Sequence, residues 1–213
     1  MYFRDRRDGG RQLARQLQHY ANRQDVLVLA LPRGGVPVGY EVAKALGAPL
    51  DAFLVRKLGV PGHEELAMGA VATGGMRVLN QDVIEHLHIP PATMERVTNR
   101  ERRELGRRER EYRDARPWPA IRGRTVILVD DGLATGSTMR AATAALRLQE
   151  PAKLVVAVPT GAAETCSDIA AEVDEVVCAI TPEPFYAVGV WYEDFSEISD
   201  EEVRHLLTNM GVA

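Results

Sequence analysis

The chain has 213 residues and a formal net charge of −4, with 46% apolar and 26% charged residues. That length suffices for one α/β domain with a proper core plus an accessory segment, and the composition is that of a soluble globular protein. No apolar run approaches the roughly 20 residues of a membrane span, and MYFRDRRDGG at the N-terminus has no apolar stretch after its basic residues, so neither a span nor a secretory signal is expected. The slight acidity argues against nucleic acid as a partner, so any anion site must be local.

In chain order, Asp8–Tyr20 reads as an amphipathic helix with Leu13, Leu17 and Tyr20 on one face. Asp25–Leu31 reads as a buried strand ending at Pro32, Val36–Leu46 as a helix, and Leu50–Val55 as a second strand. Gly69–Ala72 and Arg77–Leu79 flank Gly74-Gly75, the pattern of a hairpin. Residues 92–116 form an inserted arginine-rich helix: from Glu95 to Arg116 there are nine arginines and six acidic residues, with few apolar positions, Met94, Val97, Leu105 and Tyr112. Glu104–Arg108 and Glu109–Arg113 are favourable i,i+4 pairs. The segment reads as a solvated helix with one narrow buried stripe, or as an oligomer contact, such as a homodimer seam, or a polyanion-binding arm.

Thr125–Val129 is an unbroken apolar strand of the kind covered on both faces. Ser137–Gln149 follows as a helix, then strands at Leu154–Val158 and Val173–Ile180 around a helix from Ala162 to Ala171, and a short helix over Asp200–Leu207. Strands alternating with helices imply a mainly parallel twisted sheet flanked by helices, with right-handed crossovers. Cys166 and Cys178 lack CxxC spacing and are expected as free buried thiols in a reducing cytoplasm.

The chemistry concentrates at the end of the Thr125–Val129 strand. Asp130-Asp131 place two carboxylates at its C-terminal edge, where open α/β sheets bind ligands. Gly132, Leu133, Ala134, Thr135, Gly136, Ser137 and Thr138 then make a small, hydroxyl-rich loop running into a helix. Backbone N–H groups in such a loop cradle an anion, and Gly136 lets the backbone approach it. Uncharged ligand hydroxyls would sit near the acids. The bland alternative is a capped helix after an ordinary strand, but adjacent acids at a buried strand end need a reason to be there. The Walker loop, GxGxxG and Gly-x-Ser-x-Gly patterns are absent, and His63-Glu64-Glu65-Leu66-Ala67 lacks the second histidine of a zinc helix.

Two acids followed by Thr-Gly-x-Thr resemble the phosphoribosyl-pyrophosphate signature of type I phosphoribosyltransferases. Leu31-Pro32-Arg33-Gly34-Gly35 matches the place of that family's pyrophosphate-binding turn, and Arg56-Lys57 precede Leu58–Met68, the place of its mobile catalytic loop. The combination ALPRGG, VRKLGVPGHEELAMGAV and VDDGLATGST is similar to a group of bacterial phosphoribosyltransferases of unassigned acceptor. The resemblance covers about 25–180 and implies a single domain over 1–213, with a hood from 1–24 and 181–213.

It further implies that Asp130 through Thr138 bind phosphoribosyl pyrophosphate, that Arg33, Gly34, Gly35, Arg56 and Lys57 hold the pyrophosphate, and that Arg56, Lys57 and Asp131 are catalytic, Asp131 as proton acceptor. Mg²⁺ would be the cofactor, met by Asp130 and Asp131 through water, with Glu64 and Glu65 as further candidates for its water shell. The acceptor, a nitrogenous base, would meet Tyr186 by stacking, Ala187 by its backbone, and Tyr192 or Glu193 near the ring edge. No lysine stands at the preceding base-recognition position, Val177-Cys178-Ala179-Ile180, so a 6-oxopurine is not implied. A non-catalytic regulator binding the same sugar phosphate is the alternative, and a phosphosugar hydrolase a third reading.

Overall fold

The computed structural model describes residues 2–113 and 117–210; the side chains of Glu64 and Glu65, and so their expected role, lie outside the described residues. Helix α1 spans Arg6–Gln16, with Asp5 accepting from the Asp8 N–H at its start, and a 3₁₀ turn over Gln18–Tyr20 completes the expected amphipathic segment. Strand β1 is Val26–Ala30 and α2 is Gly35–Leu46, closed by Gly47 at φ 63°. Strand β2 is only Leu50–Ala52.

The expected strand Leu50–Val55 is broken. After Ala52 the chain leaves the large sheet, the Leu54 N–H donates to Thr73 Oγ1 in place of a ladder partner, and β3 begins at Val55. β3 (Val55–Val60), β4 (His63–Ala72) and β5 (Met76–Leu79) form a second, antiparallel sheet. The expected mobile loop Leu58–Met68 is therefore a β-hairpin. Leu58, Val60 and Met68 bury their side chains, which favours strand over loop, and Gly62 at φ 84° makes the turn. The hairpin at Gly74-Gly75 forms as expected, both glycines having positive φ.

Helix α3 (Gln81–His86) leads to α4 (Pro91–Arg113). The latter buries Val97, Leu105 and Tyr112 against β3, β4 and the C-terminal helix, and the stripe also includes Thr98 and Glu101. Next come β6 (Thr125–Val129), α5 (Ser137–Arg147), β7 (Lys153–Thr160), α6 (Ala163–Ala170), β8 (Glu175–Ile180) and α7 (Asp200–Asn209).

The large sheet is parallel throughout, in the order β2-β1-β6-β7-β8. Residue alternation sends Val28 and Ala30 of β1 toward α1, α2 and α7, and Leu27 and Leu29 toward α5 and α6. Both faces are covered, which is why β1 and β6 read as continuous apolar runs.

Cys166 and Cys178, expected as free thiols, are joined in a disulfide from α6 to β8. The α6 crossover brings together two residues with no telltale spacing, and Gly161 leaves the room: a Cβ there would collide with the Cys166 sulfur. Among the described residues no helix is long and apolar enough to cross a membrane.

Candidate active site

The site lies at the C-terminal ends of β1, β2 and β6. β6 delivers Asp130 and Asp131, and the loop after them is anchored from below. Leu133 is buried, its N–H donates to Thr160 O, its carbonyl accepts from Ala162 N, and Thr165 Oγ1 donates to Ala134 O. Leu133 thus serves as the loop's foot and offers no donor to a ligand. Arg140, one turn into α5, donates to Thr135 O and pairs with Asp168 and Glu172 of the neighbouring α6 segment. The backbone N–H groups of residues 134–139 have no protein acceptor among the described residues. With Gly136 at φ 71° opening α5, they form a donor set at a helix N-terminus, in a stretch where Thr135, Ser137 and Thr138 are exposed.

The acids are held in two ways. Asp130 Oδ1 accepts from the Asp131 N–H at 2.8 Å, and Asp131 Oδ2 accepts from Arg6 Nε at 2.8 Å. Arg6 is 8% exposed. Its Nη1 donates to Ser196 O, and its guanidinium lies 3.8 Å over the Phe195 ring. Burial and the charge of Asp131 push the Asp130 carboxyl well above the usual carboxylate range. Burial also raises Asp131, opposed by the hydrogen bond and charge of Arg6. One oxygen of each acid, Asp130 Oδ2 and Asp131 Oδ1, has no protein partner among the described residues.

The turn after β1 is pressed against these acids. A Cβ on Gly34 would sit inside the Asp131 carboxylate, and one on Gly35 would sit 2.8 Å from Val129 O. Only glycine fits at either position, so the Gly34-Gly35 pair couples the turn to the acid strand. Arg33 extends outward and forms an ion pair with Glu197 of the C-terminal segment.

A cleft opens between this turn, the end of β2 and the start of α5; Pro32, Val55, Arg56, Arg108 and Thr138 are among the residues bordering it. Arg56 donates through Nε and Nη2 to Glu101 Oε2 at 2.9 and 2.7 Å, so a buried acid of α4 sets its direction. Lys57 does not border the cleft. Consecutive strand residues face opposite sides of a sheet, so Arg56 and Lys57 cannot both do so, and Lys57 is exposed elsewhere.

The termini meet beside the acids. Phe3 pairs with Tyr192 in a parallel bridge, its N–H bonding Trp191 O. Tyr192, expected near the edge of an acceptor ring, is 6% exposed and donates its hydroxyl to Asp131 O. It supports the acids. Tyr186 is 78% exposed, with Ala187 also exposed beside it. Val188 instead approaches the loop, leaving no room for a Cβ on Gly132.

A loop of backbone donors, a pair of acids on the adjoining strand end and an arginine-lined cleft lie together at one sheet edge. A family model described as phosphoribosyl transferase domain matches residues 4–193. The chain belongs to the phosphoribosyl transferase family. It is 48% identical over 201 residues to a Mycobacterium tuberculosis H37Rv protein named "Putative phosphoribosyl transferase Rv0571c", and equally to its counterpart in strain CDC 1551, covering 94% of this chain. The match spans 45% of those relatives' length, so this chain corresponds to about half of them. It also superposes on the crystal structure of TT1426 from Thermus thermophilus with a TM-score of 0.88 and 43% identity, over 99% of both chains.

Arg6, Glu101, Arg108 and Glu197 are the site residues that sequence reading does not assign. Arg108 carries a signal, a dense arginine helix in a protein of negative net charge. Arg6 carries none, because its partner lies 125 residues away.

Proposed function

We propose that this phosphoribosyl transferase family member transfers ribose 5-phosphate from phosphoribosyl pyrophosphate to a nitrogenous base, releasing pyrophosphate. The observation that carries the reading is the division of one sheet edge into three chemically distinct parts. The unfilled N–H groups of residues 134–139 suit a monoester phosphate, the acid pair suits ribose hydroxyls, and the arginine-lined cleft suits a diphosphate leaving group.

In this reading the anomeric carbon's bond to pyrophosphate oxygen breaks and its bond to an acceptor nitrogen forms, through an oxocarbenium-like state. The protein orients both partners, excludes water and stabilises charge on the leaving group. Asp131 is the proton acceptor that the sequence implies. Arg6 holds it as a hydrogen-bond acceptor for hydroxyls, and Asp130, raised by burial and by Asp131, is the more basic of the two.

The residues fit Mg²⁺ in an outer role. Each acid keeps one free oxygen, suited to metal-bound water, and no group of three or more His, Cys, Asp or Glu that could hold a metal directly occurs among the described residues. When bound with the diphosphate, Mg²⁺ would supply charge neutralisation.

The test is Asp130→Asn with Asp131→Asn, read by calorimetric titration with phosphoribosyl pyrophosphate and by pyrophosphate release over a panel of bases. Loss of sugar-phosphate binding with the circular dichroism spectrum unchanged is expected. Unchanged affinity in the double variant would remove the acids from the site. Tight binding by the wild type with no release for any base would favour the non-catalytic binder.

A further inference from the structure

Resting on the reading of the cleft as a pyrophosphate site, we propose that Arg108 of α4 is its second guanidinium and that the inserted helix is a wall of the active site. The sequence nominates Arg33, Arg56 and Lys57 for a diphosphate leaving group, but Arg33 extends away from the cleft to Glu197. Strand alternation turns Lys57 away. Among the described residues, the cationic side chains that border the cleft are Arg56 and Arg108, with Thr138 at its edge and no carboxylate in the lining.

The arrangement is built. Glu101 and Arg108 lie two helical turns apart and so share a face of α4. Leu105 between them is 4% exposed and fixes that face against the protein. Glu101 takes Nε and Nη2 of Arg56, and Glu104 takes Nε of Arg108 at 3.0 Å. Nη1 of Arg56 and both terminal nitrogens of Arg108 are left without an acceptor among the described residues. Each acid grips the stem side of a guanidinium and leaves N–H donors for a ligand. Arginine suits this task because its planar fork matches two phosphate oxygens at once.

Arg107 supplies the control. It also pairs with Glu104, and with Glu111, but it does not border the cleft. Arg107→Gln and Arg108→Gln therefore remove the same charge from the same helix turn, and only one removes it from the cleft.

Wild type, Arg107→Gln, Arg108→Gln and Arg108→Lys would be titrated with sodium pyrophosphate and with phosphoribosyl pyrophosphate in Mg²⁺ buffer, with melting temperatures recorded for each. Arg108→Gln should weaken both ligands about 10-fold or more, the loss of a charge-assisted bond of roughly 1.5–3 kcal/mol. Arg107→Gln should stay within about two-fold, since distant surface charges are screened. Arg108→Lys should recover part of the loss. Equal affinities for the two glutamine variants, with the wild type binding well, would overturn the role of Arg108 alone. A wild type that binds neither ligand would overturn the reading of the site and this inference with it.

Discussion

The acid pair sets the chemistry at the scale of single residues. Asp130 is raised by burial and by its neighbour, so between its unfolded and native pKa values it binds more protons folded than unfolded. Stability then falls as pH rises through that window. Asp130→Asn removes this loss and keeps an oxygen for the Asp131 N–H. The variant should melt roughly 2–4 °C above wild type at pH 8, with the gap closing as pH falls toward 4. Scanning calorimetry across that range checks the sign, and a variant less stable at pH 8 would contradict it. The same change should weaken sugar-phosphate binding, the usual exchange of stability against function at a working site. Asp130, Asp131 and the Gly34-Gly35 turn are legible in the sequence because their chemistry is local: acids after four apolar residues, glycines after a strand. Arg6 is illegible because its role exists only when the N-terminus folds across the sheet edge to reach Asp131.

Elements explain where the local reading fails. The loop over residues 132–136 is a strand-to-helix junction and reads as one. The segment Leu58–Met68 carries Gly59, Pro61 and Gly62, the composition of a moving loop. Instead Gly59 pairs with Ala67 inside the hairpin, Pro61 and Gly62 make one tight turn, and Leu58, Val60 and Met68 bury on either side of it. The C-terminal segment meets the site through Ser196 and Glu197. Glu197 pairs with Arg33 from a position that is 77% exposed, where a ligand phosphate would compete for the same guanidinium. An exposed pair of this kind contributes about 0.2–1 kcal/mol, so Glu197→Gln should tighten pyrophosphate roughly 1.5- to 5-fold. Titration of that variant against wild type measures the competition directly, and a weaker complex would show that Glu197 helps hold the ligand.

Over the whole molecule, the two sheets share one purpose through α4. Its C-terminal end is tied to the edge of the large sheet, where Arg113 forms a buried ion pair with Asp51 of β2 and lies 4.9 Å over the Trp118 ring. Its middle covers β3 and carries Glu101 and Arg108. Arg113→Ala would remove this ion pair, the bond to Pro117 O and the ring contact together, and a loss of about 1–3 kcal/mol is expected. Urea unfolding should show that loss, and a loss under about 1 kcal/mol would mean that water reaches the pair. Alternation of strands and helices makes the parallel sheet legible. It does not show that β2 stops at Ala52, because a three-residue edge strand differs from a longer one only in which neighbour takes its N–H groups, here Thr73.

The pairing of Phe3 with Tyr192 has a consequence for assembly. A chain emerging from the ribosome exposes α1 long before β7 and β8, on which it packs, and before Tyr192 and Asp131 exist as partners. Such distant contacts close late, after their loop entropy has been met. The acid pair is thus completed late: Asp131 acquires the Arg6 guanidinium only once α1 has docked across the sheet edge, and a fragment holding the sheet alone carries an acid pair without its counter-ion.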